Sequence, residues 1–190
     1  MAATFNVMFD FGGSDNTPGT SQNTDGLGPP NMRFKQADDA TIDENNPIPI
    51  PAAGTNYSRW KQVYLKCTAA PSTQVNNVKF YTDGSNFGTG ITLNIADACP
   101  LHSSTVTTGY DVADANVTMA SGGHTDVTTV TDAFTYTSGS PKSISISEAG
   151  SIINAIGETT NYIVLQMAVG TTASPGNLTD ETMYYQYDEI

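Results

Sequence analysis

The chain has 190 residues, with 7 basic against 19 acidic side chains and a net charge of −12. That balance leaves no Lys/Arg stripe to displace the counterions of a phosphate backbone, which argues against nucleic acid as a partner. The longest apolar run, around Tyr162–Val169, falls far short of the ~18 residues a membrane-spanning helix needs, and the surplus of Thr, Ser, Asn and Gly disfavours helical bundles and coiled coils.

Phe5, Val7, Phe9 and Phe11 alternate with Asn6, Met8 and Asp10, which predicts a half-buried strand. Gly12 to Pro30 is mostly turn formers and reads as a long loop. Asn31–Ala37, with Met32 and Phe34, suits a short strand. Asp38, Asp39, Asp43 and Glu44 then lead into Asn46-Pro47-Ile48-Pro49-Ile50-Pro51. Alternating prolines cannot donate to a sheet ladder and favour an extended arm or edge. Residues 12–56 are therefore predicted as a largely irregular arm of one domain spanning residues 1–190.

From Trp60 to Thr68, Val63, Leu65 and Cys67 share one face of a strand, with Tyr64 and Lys66 on the other. Val75–Thr82 is the next strand, Val78 and Phe80 on one face, and Asp83-Gly84 makes 83–90 read as a hairpin loop. Ile91–Ile95 places Ile91, Leu93 and Ile95 inward. Asp97–Gly123 is poorly patterned, with one short strand expected around Asn116–Met119. Val127–Thr137 and Lys142–Ser147 read as a pair around Ser138-Gly139-Ser140-Pro141. One short helix is expected near 148–156, opened by Ser147 or Glu148 and closed by Gly157. Tyr162–Val169 is apolar on both faces, the pattern of a central strand covered on both sides. Thr182–Tyr187 is a last, aromatic strand. Short strands punctuated by turns predict an all-β fold, an antiparallel β-sandwich of which a jelly roll is one form. Its core should draw on Val63, Leu65, Cys67, Val78, Phe80, Ile144, Ile146, Ile163, Leu165 and Met167.

Chemistry-bearing motifs are sparse. Asp15, Asp25, Asp38, Asp39, Asp43 and Glu44 could offer oxygen ligands, but none follows the D-x-[DN]-x-[DN]-G calcium loop, and Asp and Asn favour turns for local reasons. His102 and His124 lie in Ser/Thr/Gly-rich stretches without a G-x-S-x-G elbow and read as solvated. Asp132 and Glu148 could serve in a glycosidase pair only in the sense that any acidic protein supplies such candidates. Residues 83–90 have glycines but no lysine and no following helix to cradle a phosphate. Cys67 and Cys99 match no zinc spacing and read as reduced thiols, Cys67 in the core. Tyr57, Trp60, Tyr184, Tyr185 and Tyr187 could form a sugar-stacking surface, although strand aromatics more often serve cores and interfaces. The expectation is a non-enzymatic protein with no catalytic residue, cofactor or metal. The opening Met1-Ala2-Ala3 lacks a basic, then apolar, export signal, so assembly in a cytoplasm is expected.

Three stretches carry a resemblance. They are Asn46-Pro47-Ile48-Pro49-Ile50-Pro51-Ala52-Ala53-Gly54-Thr55-Asn56-Tyr57-Ser58 running into Trp60-Lys61-Gln62-Val63-Tyr64-Leu65-Lys66-Cys67, then Val78-Lys79-Phe80-Tyr81-Thr82-Asp83-Gly84, and the run from Ile146 to Glu189. Together they resemble uncharacterised β-rich proteins encoded among the virion structural genes of prokaryotic viruses. The resemblance implies a virion component assembled in the host cytoplasm: a capsid decoration, minor capsid or tail-associated protein. Its partners would be other virion subunits (a major capsid or tail protein) and copies of itself, with neither nucleic acid nor membrane. It carries over no functional residues. A tail-associated carbohydrate-binding or adhesion module is the alternative. Leu27, Met32, Phe34, Ile48 and Ile50 are apolar residues of the arm that need a surface to rest on. A subunit interface is expected there, or else wrapping back over the chain's own sandwich.

Overall fold

The computed structural model describes residues 2–24 and 32–190, so Leu27 lies outside the described residues. The strands are β1 Thr4–Ser14, β2 Thr17–Asn23, β3 Thr55–Tyr57, β4 Lys61–Ala69, β5 Val75–Thr82, β6 Ile91–Ala96, β7 Val130–Asp132, β8 Lys142–Ser143, β9 Ile163–Gly170 and β10 Met183–Glu189. They form two antiparallel sheets packed as a sandwich-like all-β fold. The larger runs β2-β1-β4-β9-β6-β7, with β3 pairing the end of β9, and the smaller runs β10-β5-β8.

Local chemistry explains the places where strands begin and turn. β1 continues into what the composition marks as loop, because Asp15-Asn16 closes a tight hairpin in which Ser14 faces Thr17. Asn16 takes the left-handed backbone such a turn needs (φ 64°), a conformation Asn tolerates better than most residues. Pro18 is harmless in β2, the edge of the sheet, where a missing N–H breaks no inner ladder. Residues 32–54 are irregular, so the short strand expected over 31–37 does not form among its described residues.

Four other expectations need correction. β5 and β6 belong to different sheets, so residues 83–90 cross between sheets and are not a hairpin loop. β7 pairs β6 while β8 pairs β5, which splits the expected 127–147 pair the same way. The helix expected near 148–156 shrinks to one 3₁₀ turn, Ala149–Ser151, in which Gly150 sits at φ 76°. Ile153 is drawn instead into backbone bonds with Val75, at 2.9 and 2.7 Å. The residues around Asn116–Met119 form turns and no strand.

All ten expected core residues are buried. Phe9, Val63, Leu65, Leu93, Ile95, Ile163 and Leu165 meet Val75, Val78 and Phe80 of β5, together with Ile144 and Ile146 just after β8. The opposite face of the larger sheet is also covered. Trp60 and Val164 pack with Ala113, Met119 and Val127, while Tyr64 and Tyr162 pack with Tyr110. Residues 97–129 thus form a third, irregular layer, and this is why β9 is apolar on both faces.

Candidate functional site

Between the two sheets, at the Val169 end of β9, lies a cavity of about 790 Å³. Leu165, Met167 and Val169 of β9 form one wall, and Phe80, Met183 and Tyr185 form the other. The irregular arm and residues 173–182 complete the enclosure. Met32, Phe34, Ile48 and Ile50, the four described residues of the expected interface, all line it. They are not equivalent. Met32 and Phe34 are half-buried and pack on the chain's own core, whereas Ile50 is 38% exposed.

Two buried lysines hold the arm. Lys35 Nζ lies 2.9 Å from both Asp39 Oδ1 and Asp43 Oδ1 and donates to the Thr41 carbonyl at 3.1 Å. Burial alone would lower the Lys35 pKa, but hydrogen bonds and charge from Asp39 and Asp43 raise it above the ordinary lysine value. Lys61 Nζ donates to the Asp39 carbonyl at 3.1 Å, with Asp38 Oδ1 at 3.9 Å and the Phe9 ring beneath it. Its pKa is lowered by burial, with Asp38 and Asp39 opposing the shift. Asp38 Oδ2 accepts the Gly12 N–H at 2.7 Å, and Asn177 donates to Glu44 at 2.7 Å. The acidic residues of the arm therefore staple it to the sandwich. Among the described residues no group of three or more His, Cys, Asp or Glu side chains is placed to hold a metal ion. Addition of EDTA is expected to leave the melting temperature unchanged. A fall of several degrees would reveal a metal bound by the folded state alone, since such a ligand must stabilise it.

The histidines depart from expectation: both are buried, His102 at 4% exposure and His124 at 1%. His102 lies between the Tyr64 and Tyr162 rings, 4.1 and 4.4 Å centroid to centroid, and its Nδ1 donates to the Thr160 carbonyl at 3.1 Å. Tyr162 and Tyr64 donate their hydroxyls to buried Asp10, Tyr64 at 3.3 Å. His124 bonds Gln62 at 2.6 Å. These groups join the irregular layer and β1 to the larger sheet, and their burial is hidden in composition because a Ser/Thr/Gly-rich loop reads as solvated. Outward-facing Gln62 and Gln166 within apolar strands were the available signal: a glutamine at 1% or 0% exposure must find partners.

The aromatics weighed as a sugar-stacking surface do not share one exposed face, as the core or interface reading favoured. Trp60 is buried, Tyr185 packs edge-on against Phe80, and Tyr187 packs on Phe5. Tyr184 remains on the outer face, stacked on Tyr81 with centroids 5.0 Å apart. Cys67 and Cys99 are both free thiols, and burial raises the pKa of each. Compared with protein-family models, curated proteins and solved structures, the chain matches none.

Proposed function

We propose that the protein is a non-enzymatic structural component of a virus particle, of the capsid decoration or minor capsid type, and that Ile48 and Ile50 contact a neighbouring subunit. The sequence resemblance supplies the virion setting. The observation that carries the contact is the form of the arm: a Pro-Ile-Pro-Ile-Pro run that crosses the cavity region with Ile50 exposed. The run is held at its start by the Gln36 N–H, which donates to the Asn46 carbonyl at 2.8 Å, and farther along by the Asn56 side chain, which donates to the Pro49 carbonyl at 2.8 Å. Proline-rich backbone held in place loses little entropy when a partner docks. Met32 and Phe34 already pack on their own core and have less surface to offer, which favours Ile48 and Ile50 as the contact.

Density-gradient purification of particles from producing cells tests both parts. The wild-type chain should sediment with the particles. The double variant Ile48→Ser, Ile50→Ser should fold normally yet fall at least about tenfold in the particle fraction, the equivalent of ~1.4 kcal/mol of binding. Absence of the wild-type chain from particles overturns the virion reading. Normal incorporation of the double variant overturns the contact alone.

A further inference from the structure

The third layer, residues 97–129, is fastened at one point by a histidine whose protonation state is dictated by its neighbours. Gln62 Oε1 accepts the backbone N–H of Asp111 at 3.1 Å, which orients its amide, and accepts from His124 Nε2 at 2.6 Å. His124 Nδ1 accepts the backbone N–H of Asp126 at 3.2 Å. Both bonds specify the same neutral tautomer, with its proton on Nε2. The ring is 5.8 Å from the Trp60 ring, and the Trp60 indole N–H donates to the Asp111 carbonyl at 3.0 Å.

A proton can enter only at Nδ1. It would turn an acceptor into a donor that opposes the Asp126 N–H, and that bond is lost. An alternative acceptor is Asp111 Oδ2 at 3.8 Å, which already takes the Thr125 N–H at 2.6 Å. Rotating the ring toward it would strip Nε2 from Gln62, whose own Nε2 is buried with no partner among the described residues. The surrounding charges come from several elements. Asp111 and Asp126 belong to the layer itself, and Asp15 reaches it from the β1–β2 turn through the Val112 N–H at 3.1 Å. Arg59, before β4, donates to the Ala113 carbonyl. Asp10 of β1 bonds Tyr64 and Tyr162 beneath the layer, with Tyr110 alongside them. His102 lies farther along, near Lys66 and Glu148.

We propose that residues 97–129 are an acid-released cover: protonation of His124 detaches this layer from the outer face of the larger sheet and uncovers the apolar surface around Trp60, Val164 and Tyr162, while the two-sheet core stays folded. The proposal does not depend on the virion reading. Apolar surface hidden at neutral pH and shown in acid is a device for associating on demand.

Trp60 is the chain's single tryptophan and stands at the fastening point, so the full-length protein reports on itself. Acidification from about pH 7 to pH 4 should red-shift its emission reversibly, with the far-ultraviolet circular dichroism unchanged. The amides of Met119 and Thr125, bonded to Gln166 and Asp111, should lose exchange protection by at least about tenfold while those of β4 and β9 keep theirs. His124→Gln should abolish the shift, and His102→Gln should retain it. Should His124→Gln fail to fold, NMR titration of the wild-type imidazoles supplies the same test, because the His124 titration must coincide with the Trp60 shift. The proposal is overturned by an absent shift, by a shift that persists in His124→Gln, by a His124 titration at a different pH, or by circular dichroism lost together with the emission change.

Discussion

Leu165→Ala should destabilise the fold by about 2–5 kcal/mol. Leu165 is 1% exposed and lies in β9 between two ladder partners, Lys61 of β4 and Ile95 of β6. Strands hydrogen-bonded on both sides cannot close inward, so the removed atoms leave a void whose lining loses its dispersion contacts. The site also borders the inter-sheet cavity, so the truncated side chain enlarges an existing space. For a chain of this length the loss corresponds to a melting temperature lower by at least about 4 °C. Urea unfolding followed by circular dichroism measures it directly, and a variant melting within a degree of wild type would mean that β9 is not the central strand of the core. Exposed Ile50 is the contrast, since replacing it removes little buried contact.

How much of this was legible follows from which interactions leave a periodic trace. Val63, Leu65 and Cys67, Val78 and Phe80, and Leu93 and Ile95 alternate as strand residues must, and β4, β5, β6, β9 and β10 appear within a residue or two of where alternation puts them. Strand partners were not legible in the same way. Asp83-Gly84 is a good turn, but β5 finds β10 about a hundred residues away, and no local signal encodes that choice. The third layer was the larger omission. It is attached through side chain to backbone bonds, Gln166 Oε1 to the Met119 N–H at 2.8 Å and Gln62 to Asp111 and His124. Such bonds follow no period. Yet Tyr162–Val169 is apolar on both faces, and that pattern required a cover on the second face. The acidic arm was legible in composition but not in role, because only the fold brings Lys35 and Lys61 among Asp38, Asp39 and Asp43.

Stability should fall as the pH drops from about 6.5 toward 4. Burial lowers the pKa of His124 from 6.5 to about 4, against the pull of Asp126 and Asp15, and lowers that of His102 as well. A histidine whose pKa is depressed in the folded state contributes its full stability above the unfolded value. Below 6.5 the unfolded chain binds the proton and the folded chain does not, so stability rises with pH across the window and is lost on acidification from 6.5 down to the folded value. For His124 the interval corresponds to about 3 kcal/mol. Asp111 works in the opposite sense. Burial raises its pKa, so proton uptake by the folded form recovers part of the loss at the acidic end. Asp39 and Asp97 add a later loss: burial opposes their ionised forms, but hydrogen bonds hold both pKa values below 3.8, so their contribution is given up only in stronger acid. Urea unfolding at a series of pH values should therefore show a steep decline between 6.5 and 4, shallower in His124→Gln. A wild-type curve flat across that interval would mean that His124 is already protonated, or already in water, in the folded chain.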